Sequence, residues 1–243
     1  MNAQTITGFS SLGTGADQWT FNKNGGTDPA INSGTLSLLP AQTTVARSIF
    51  FNTAQSVTRF NVSFRFDNGS DGSGSDGFTF VLQNGANTAL GNAGGNLGYG
   101  AAGGDFANSA AVSFNIVNND SLAFGQAGNT SGLEGFADLV PSNGPNTALL
   151  DLADIAINYD GSVLSITVTN VNNPTQSATR EVSVDIPTLI GSDTALLGFT
   201  AGNFTATAMT LSNFSYAAVP EPTTYAALMG AMAIGFCLIR RRR

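Results

Sequence analysis

The chain has no histidine, and its only cysteine, Cys237, lies in an apolar stretch near the C-terminus. Within the body this excludes disulfides, thiolate-zinc sites and every catalytic arrangement that needs a histidine base. Charge is scarce too, at 10% of residues, and four of the nine basic residues are the arginines at 240–243. Glu221 is the only acid beyond Val219, so the body carries 5 basic against 15 acidic residues. Such a surface repels phosphate backbones, and no basic patch with interleaved aromatics interrupts it, so nucleic acid is not an expected partner. Neither a fixed-period repeat nor a second folded domain is visible in the 243 residues.

What the chain does have is 29 glycines, 17 phenylalanines and recurring Thr, Ser, Asn and Val. That bias favours strands and turns over helices, and the length suits one all-β sandwich. Phe60, Val62, Phe64 and Phe66 alternate with Asn61, Ser63 and Arg65, the pattern of a sandwich strand with one wet face. Further strands are expected near 19–21, 35–39, 45–51, 155–159, 163–169, 182–186, 195–200 and 209–216. Asp160-Gly161 reads as the turn of a hairpin. Residues 125–145 read as a long loop.

The most informative stretch is 67–119. Asp76 stands just ahead of an alternating segment with Phe78, Phe80 and Leu82 on one face. Gly91, Gly94, Gly95, Gly98, Gly100, Gly103 and Gly104 follow, and then Val112, Phe114 and Ile116 alternate with Ser113 and Asn115. Two strands thus flank a loop whose backbone can approach a ligand closely.

Other matches in this stretch are weak. Asp67, Asp71 and Gly72 fit positions one, five and six of a calcium-binding loop, but Phe78 occupies the twelfth, where Glu is required, so a polar turn is the better reading. Gly98, Gly100 and Gly103 match GxGxxG without the following amphipathic helix or the acid about twenty residues on, so no dinucleotide site is expected. Glycoside chemistry needs two carboxylates about 5 to 10 Å apart across the scissile bond. Glu134 and Glu181 stand alone, and Asp151 and Asp154 read as loop residues, so an enzyme is disfavoured.

Residues 224–239 are apolar and uncharged and precede the four arginines. As a helix this run would reach about 24 Å, short of the roughly 30 Å hydrocarbon core, with arginine snorkelling covering the difference. A single C-terminal transmembrane helix is therefore expected, its basic end cytoplasmic and the acidic body across the membrane. Val219-Pro220-Glu221-Pro222, the helix and the arginines together resemble the PEP-CTERM sorting signal of Gram-negative bacteria that make extracellular polysaccharide. The resemblance implies a domain at 1–218 and a sorting tail at 219–243. It also implies an exosortase partner and a body destined for the cell surface or extracellular matrix. MNAQTITGFSS has neither the basic start nor the apolar run of the secretion signal that such a tail calls for, so either the chain begins after that signal or its start is misassigned, and a cytoplasmic body stays open as the alternative.

Several segments, in order, resemble the legume-lectin-like family, including its bacterial members, which are concanavalin A-like jelly-roll β-sandwiches. They are GTLSLLP, FNVSFRF, DGFTFVLQN, GGNLGYG, AVSFNIVNN, the INYDGSVLSITV hairpin, ALLGFTAGNF and LSNFSY. The resemblance implies a carbohydrate-binding protein whose partner is a polysaccharide or glycan. It assigns sugar hydroxyls to Asp76, a loop amide to Gly95 with Asn96 beside it, the link between sugar and metal to Asn119, and the variable loop to Gly202, Asn203 and Phe204. A carboxylate suits the first role because it accepts two hydroxyls in charge-assisted bonds. Phe204 could stack on a sugar's apolar face.

The family's calcium falls on Asn115, the Val117 carbonyl and Asn119, with Asp120 as a further carboxylate. Asn115 replaces the family's Asp, which thins the shell, since oxygen-site strength follows ligand charge. The family's transition-metal site needs Glu and His, and Ser113 with no histidine implies that it is absent. Two alternatives to the calcium-assisted lectin stay open: a structural matrix protein with a degenerate lectin site, and the disfavoured polysaccharide hydrolase or lyase.

Overall fold

A computed structural model describes residues 5–69, 75–100, 105–117, 120–131, 137–139 and 149–220. The chain forms β1 (Thr5–Thr7), β2 (Trp19–Lys23), β3 (Ile31–Asn32), β4 (Thr35–Leu39), β5 (Val45–Phe51), β6 (Gln55–Ser56), β7 (Phe60–Asp67) and β8 (Ser75–Gln83). After one 3₁₀ turn at Gly94–Asn96 come β9 (Ser109–Asn115), β10 (Ser121–Gln126), β11 (Ala137–Asp138), β12 (Leu152–Tyr159), β13 (Val163–Asn170) and β14 (Ser177–Ser183). The short helix α1 (Ile186–Ile190), β15 (Thr194–Asn203) and β16 (Met209–Ala218) complete it.

The strands make two antiparallel sheets. The back sheet runs β14-β13-β12-β7-β16-β4-β3, with β1 beside β16. The front sheet runs β11-β10-β9-β8-β15-β5-β2, with β6 beside β15. Period-two patterning explains the layering, because β7, β12 and β13 of the back sheet turn alternate apolar residues inward and mostly polar ones to water. On β7, for example, Phe60, Val62, Phe64 and Phe66 are buried while Asn61, Ser63 and Asp67 are exposed. Between the sheets Phe78 stacks on Phe66 at 4.4 Å and on Phe114 at 4.5 Å. That aromatic column locks β7, β8 and β9 together just below the end of β8 that carries Asp76. Arg47, also buried between the sheets, donates to the carbonyls of Thr27 and Leu38, and burial lowers its pKa to about 10.

The Asp160-Gly161 hairpin forms as read: Gly161 has φ 99°, and Asp160 Oδ1 accepts from the Ser162 and Val163 amides at 2.8 Å. Two expectations differ. Where a strand was expected at 182–186, β14 ends at Ser183 and α1 begins at Ile186, capped by Asp185, whose carboxylate accepts from the Thr188 amide. β14 is an edge strand, SATREVS, whose half-buried face carries Ala178, Arg180 and Val182, so a charge interrupts the apolar alternation that would reveal it. The long loop expected at 125–145 is preceded and entered by β10, whose buried run SLAFG is covered on both faces and so shows no alternation. Among the described residues no helix is long and apolar enough to cross a membrane. Residues 224–239 lie outside the described residues, as do Glu221 and Pro222.

Candidate functional site

Strict alternation would put Asp76 on the same inward face as Phe78. A bulge takes it out of that register. Gly202 of β15 pairs with Gly77 and Asn203 pairs with Ser75, so Asp76 opposes no residue of β15. Bulges of this kind re-aim a side chain at the end of a strand. The Asp76 carbonyl accepts from the Ile116 amide at 3.0 Å, and Oδ2 accepts from the Phe204 amide at 2.8 Å. Gly77 makes the bend possible: it has φ 146°, and a Cβ there would lie 2.0 Å from the Phe114 carbonyl oxygen. Burial raises the pKa of Asp76, opposed by the amides of Phe204 and of Asp76 itself. No second carboxylate contributes to that shift.

The glycine loop lies across the outer face of the front sheet, on a polar ladder. Asn22, Ser48, Thr200, Thr79 and Ser113 stand opposite one another on β2, β5, β15, β8 and β9. Thr200 Oγ1 donates to the Leu97 carbonyl at 2.8 Å, and Ser48 Oγ donates to the Ala89 carbonyl at 2.6 Å. These two bonds pin the loop at both ends. At Gly98 the loop backbone, with φ 67°, passes so near the sheet that a Cβ would lie 2.6 Å from the Ala201 carbonyl oxygen. Phe50, Val81, Ala89, Tyr99, Phe106 and Ala111 form a second, smaller core beneath it.

At the rim of this loop the expected contact residues gather. The Phe204 ring lies over Gly94, where a Cβ would come within 2.0 Å of the ring, yet Phe204 stays 60% exposed. Gly95 is exposed and has open space where a side chain would stand. Asn96 is exposed beside it, and its carbonyl accepts from the Tyr99 and Gly100 amides. Asp76, Gly95, Asn96 and Phe204 thus come to one end of the front sheet. Gly202 serves as support there, its Cα packed against Gly94 and Gly98. The Asn203 side chain is fully buried: its Oδ1 accepts from the Val45 amide and its Nδ2 donates to the Thr207 carbonyl. It holds the loop and presents no group to solvent.

Of the residues expected around calcium, Asn115, Val117 and Asp120 fall at the connection from β9 to β10. Asn115 is half-buried on the outer face, opposite Gly77 and Ser121. Val117 is 55% exposed, and Asn119 lies outside the described residues. The Asp120 carboxylate is buried, and Oδ2 accepts from the Leu150 amide at 3.1 Å, so it ties this turn to the start of β12. Ser113 and Ser121 flank Asn115 on the same face, and both hydroxyls are buried without a hydrogen-bond partner. The two hydroxyls beside Asn115 are neutral donors, and Asn115 itself brings no charge, so the carboxylate nearest this turn in sequence is Asp120. Among the described residues no three His, Cys, Asp or Glu side chains come together. Val219 continues from β16, its amide donating to the Arg59 carbonyl at 2.9 Å, and Pro220 closes the described segment.

Chemically, the rim offers a half-buried carboxylate acceptor, an open loop backbone and an exposed aromatic face. Hydroxyls and one apolar ring face suit that set.

No family model matches the chain, and no curated protein matches it by sequence. Solved structures do match its fold. A lectin from Bauhinia forficata in complex with GalNAc superposes with a TM-score of 0.68 at 15% identity, covering 89% of this chain and 98% of that one. Arcelin-5, a lectin-like defense protein from Phaseolus vulgaris, gives 0.69 at 16% identity, covering 91% and 100%. The winged bean acidic lectin complexed with methyl-α-D-galactose gives 0.69 at 17%, covering 90% and 100%. The chain has the legume-lectin fold, a sandwich of two antiparallel sheets.

Proposed function

We propose that this protein is a lectin-like, non-enzymatic binder of polysaccharide or glycan. The observation that carries the reading is the Gly202/Asn203 bulge, which releases Asp76 from pairing with β15, with its carboxylate bonded to the Phe204 amide and the Phe204 ring over Gly94 beside the open Gly95. Asp76 accepts sugar hydroxyls, the loop at Gly95 and Asn96 contributes polar contacts, and Phe204 covers an apolar sugar face. The resemblance adds Asn119, which lies outside the described residues. Support also comes from the fold neighbours, two of which are described in complex with GalNAc and methyl-α-D-galactose.

The family's calcium, carried by Asn115, Val117, Asn119 and Asp120, would here be held by neutral oxygens apart from the Asp120 carboxylate, and the sugar contacts just named do not depend on it. No transition metal is expected, because Ser113 replaces the acid and no histidine exists. Export across the inner membrane, anchoring by residues 224–239 and cutting by an exosortase at Val219-Pro220-Glu221-Pro222 belong to the same proposal. Their support is the order of the sequence signals. Expression in an exosortase-bearing host checks this: intact tail mass on the released protein would count against it.

A glycan array probed with and without calcium tests the binding. Asp76→Ala should abolish retention, and unchanged retention would sink the assignment. Asp76→Asn keeps an acceptor for the Phe204 amide but loses charge-assisted bonds. Its expected cost of about 1.5–3 kcal/mol means roughly 10- to 150-fold weaker binding. The neutral surroundings of Asn115 favour one second reading, a matrix protein that keeps the fold without the binding. Silence of the wild-type chain on the array under both conditions would select it.

A further inference from the structure

The neutral shell at Asn115 contrasts with a charged one at the end of the back sheet. Asn68 follows β7 and Asp151 precedes β12. The pairing Leu152 with Asp67 continues one step further, where the Asn68 amide donates to the Asp151 carbonyl at 2.8 Å. The two residues are therefore cross-strand neighbours. By alternation both share the inward face, Asn68 with Phe66 and Asp151 with Ala153 and Ile155. Cross-strand neighbours on one face hold their Cβ atoms about 5 Å apart.

Asn68 is fully buried, and neither its Oδ1 nor its Nδ2 has a hydrogen-bond partner. Asp151 Oδ1 is likewise buried and unpartnered. Leaving three such atoms bare in a sandwich interior is costly, because each forfeits its water without gaining a partner. The Asp120 carboxylate reaches the same place from the front sheet: it accepts from the amide of Leu150, the residue next to Asp151, and the two carboxylates repel. No cation among the described residues neutralises Asp120 or Asp151.

We propose that Asn68 and Asp151, with the charge of Asp120 beside them, form a binding site for one hard divalent cation, calcium by its ligand chemistry, inside the mouth of the sandwich. Carboxylate and amide oxygens are the donors that calcium takes, with water completing six to eight positions. Asp151 supplies the carboxylate and Asn68 its Oδ1. Asn68 Nδ2 donates to a carboxylate oxygen or to an ion-bound water. Asp151 is half-buried, which leaves the ion a way in. This site is independent of the sugar reading and separate from Asn115. An ion here would join β7 and β12 of the back sheet to the β9–β10 turn of the front sheet, since Asp120 belongs to that turn. The mouth of the sandwich would then stiffen when calcium is present.

Calorimetric titration of the full chain with calcium, with magnesium as comparison, tests it alongside thermal unfolding in calcium and in chelator. The expected result is one calcium per chain, bound more tightly than magnesium, and a higher unfolding temperature in calcium. Asp151→Asn should weaken binding at least about tenfold, because it removes a ligand charge. Asn68→Asp adds one and should tighten calcium while lowering stability in chelator, a pair of effects that a purely structural role for Asn68 does not produce. Asn115→Ala should leave the titration unchanged. No calcium binding by the wild type would overturn the proposal and leave water or a shared proton as the occupant. Binding lost in Asn115→Ala but kept in Asp151→Asn would overturn it equally.

Discussion

Replacing Gly77 by Ala perturbs the site through the backbone alone. The new Cβ would sit 2.0 Å from the Phe114 carbonyl oxygen, and φ is 146°. A tolerable contact needs about 1 Å of separation more, and the obstacle is main chain, which cannot rotate away as a side-chain tip can. Three costs add. The backbone conformation costs about 1–3 kcal/mol, the overpacking about 1–3, and the hydrogen bond from the Ile116 amide to the Asp76 carbonyl, 3.0 Å long, about 1 as the strands part. A total near 4 kcal/mol corresponds to about 8–16 °C in unfolding temperature for a chain of this size. Thermal unfolding followed by circular dichroism measures it, and urea titration should show a lower midpoint at an unchanged slope. Gly95→Ala is the matched control, since no atom lies within 4 Å of its added Cβ, and its stability should stay within about 0.5 kcal/mol of wild type. Equal stability of the two variants would refute the argument that β9 dictates glycine beside Asp76.

Phe204→Ala removes a ring that is 60% exposed, so stability should move by less than about 0.5 kcal/mol while glycan retention weakens about fivefold or more, which separates a contact residue from a structural one on the same array. Thr200→Val deletes the bond to the Leu97 carbonyl and the 2.7 Å contact with the Thr79 hydroxyl, at an expected cost of about 1–3 kcal/mol in urea unfolding. An unchanged midpoint would mean that the ladder does not hold the glycine loop. Burial raises the pKa of Asp151, so the folded state holds its proton to higher pH than the unfolded chain. The stability tied to that proton is full below about pH 4 and is lost as pH rises through the folded pKa. In calcium-free buffer the advantage of Asp151→Asn over wild type should therefore grow from about pH 4 to pH 7, and a constant difference would contradict the assignment.

What the sequence disclosed, and what it hid, follows from which interactions are local. Strands such as β7 and β13 announce themselves because one face is apolar and the other wet. The Asp-Gly hairpin does so because Asp160 caps amides two and three residues away. Asp76 stood out as an acid just ahead of an alternating segment, whereas Gly95 was picked from seven loop glycines only by the family resemblance. Asn203 read, through the resemblance, as a residue of the variable loop, and only the pairing of Val45 with Asn203 across 158 residues reveals that the fold consumes it. Asp120 is similar, since the amide that its carboxylate meets lies 30 residues on. The bulge is equally silent in sequence: nothing in GFTAGNF says which residue of β8 goes unpaired. Asn68 and Asp151 were passed over because a polar residue at a strand end looks like loop, and inward alternation matters only once the opposite strand is known.

The two ends of the argument about metal meet in the same strands. In a lectin fold whose sugar acid is steadied by an adjacent ion, losing anionic ligands next to that acid would leave it loosely held. Here Asp76 is fixed by other means: Gly77 bends the strand, the Phe78 column anchors it, and the Phe204 amide bonds the carboxylate directly. Each of these belongs to the sheet itself, so the position of Asp76 survives a neutral Asn115. Negative charge is concentrated instead where β7 ends and β12 begins, at Asp120 and Asp151, and among the described residues no cation neutralises it. A sugar site that depends on sheet geometry and an ion site that depends on trapped charge make opposite responses to a chelator. Removing calcium should lower the unfolding temperature of the wild type and leave its glycan retention unchanged at temperatures where the sandwich stays folded. Retention that vanishes in chelator from a protein still folded would show that Asp76 depends on an ion after all, and the reasoning from the bulge would fail.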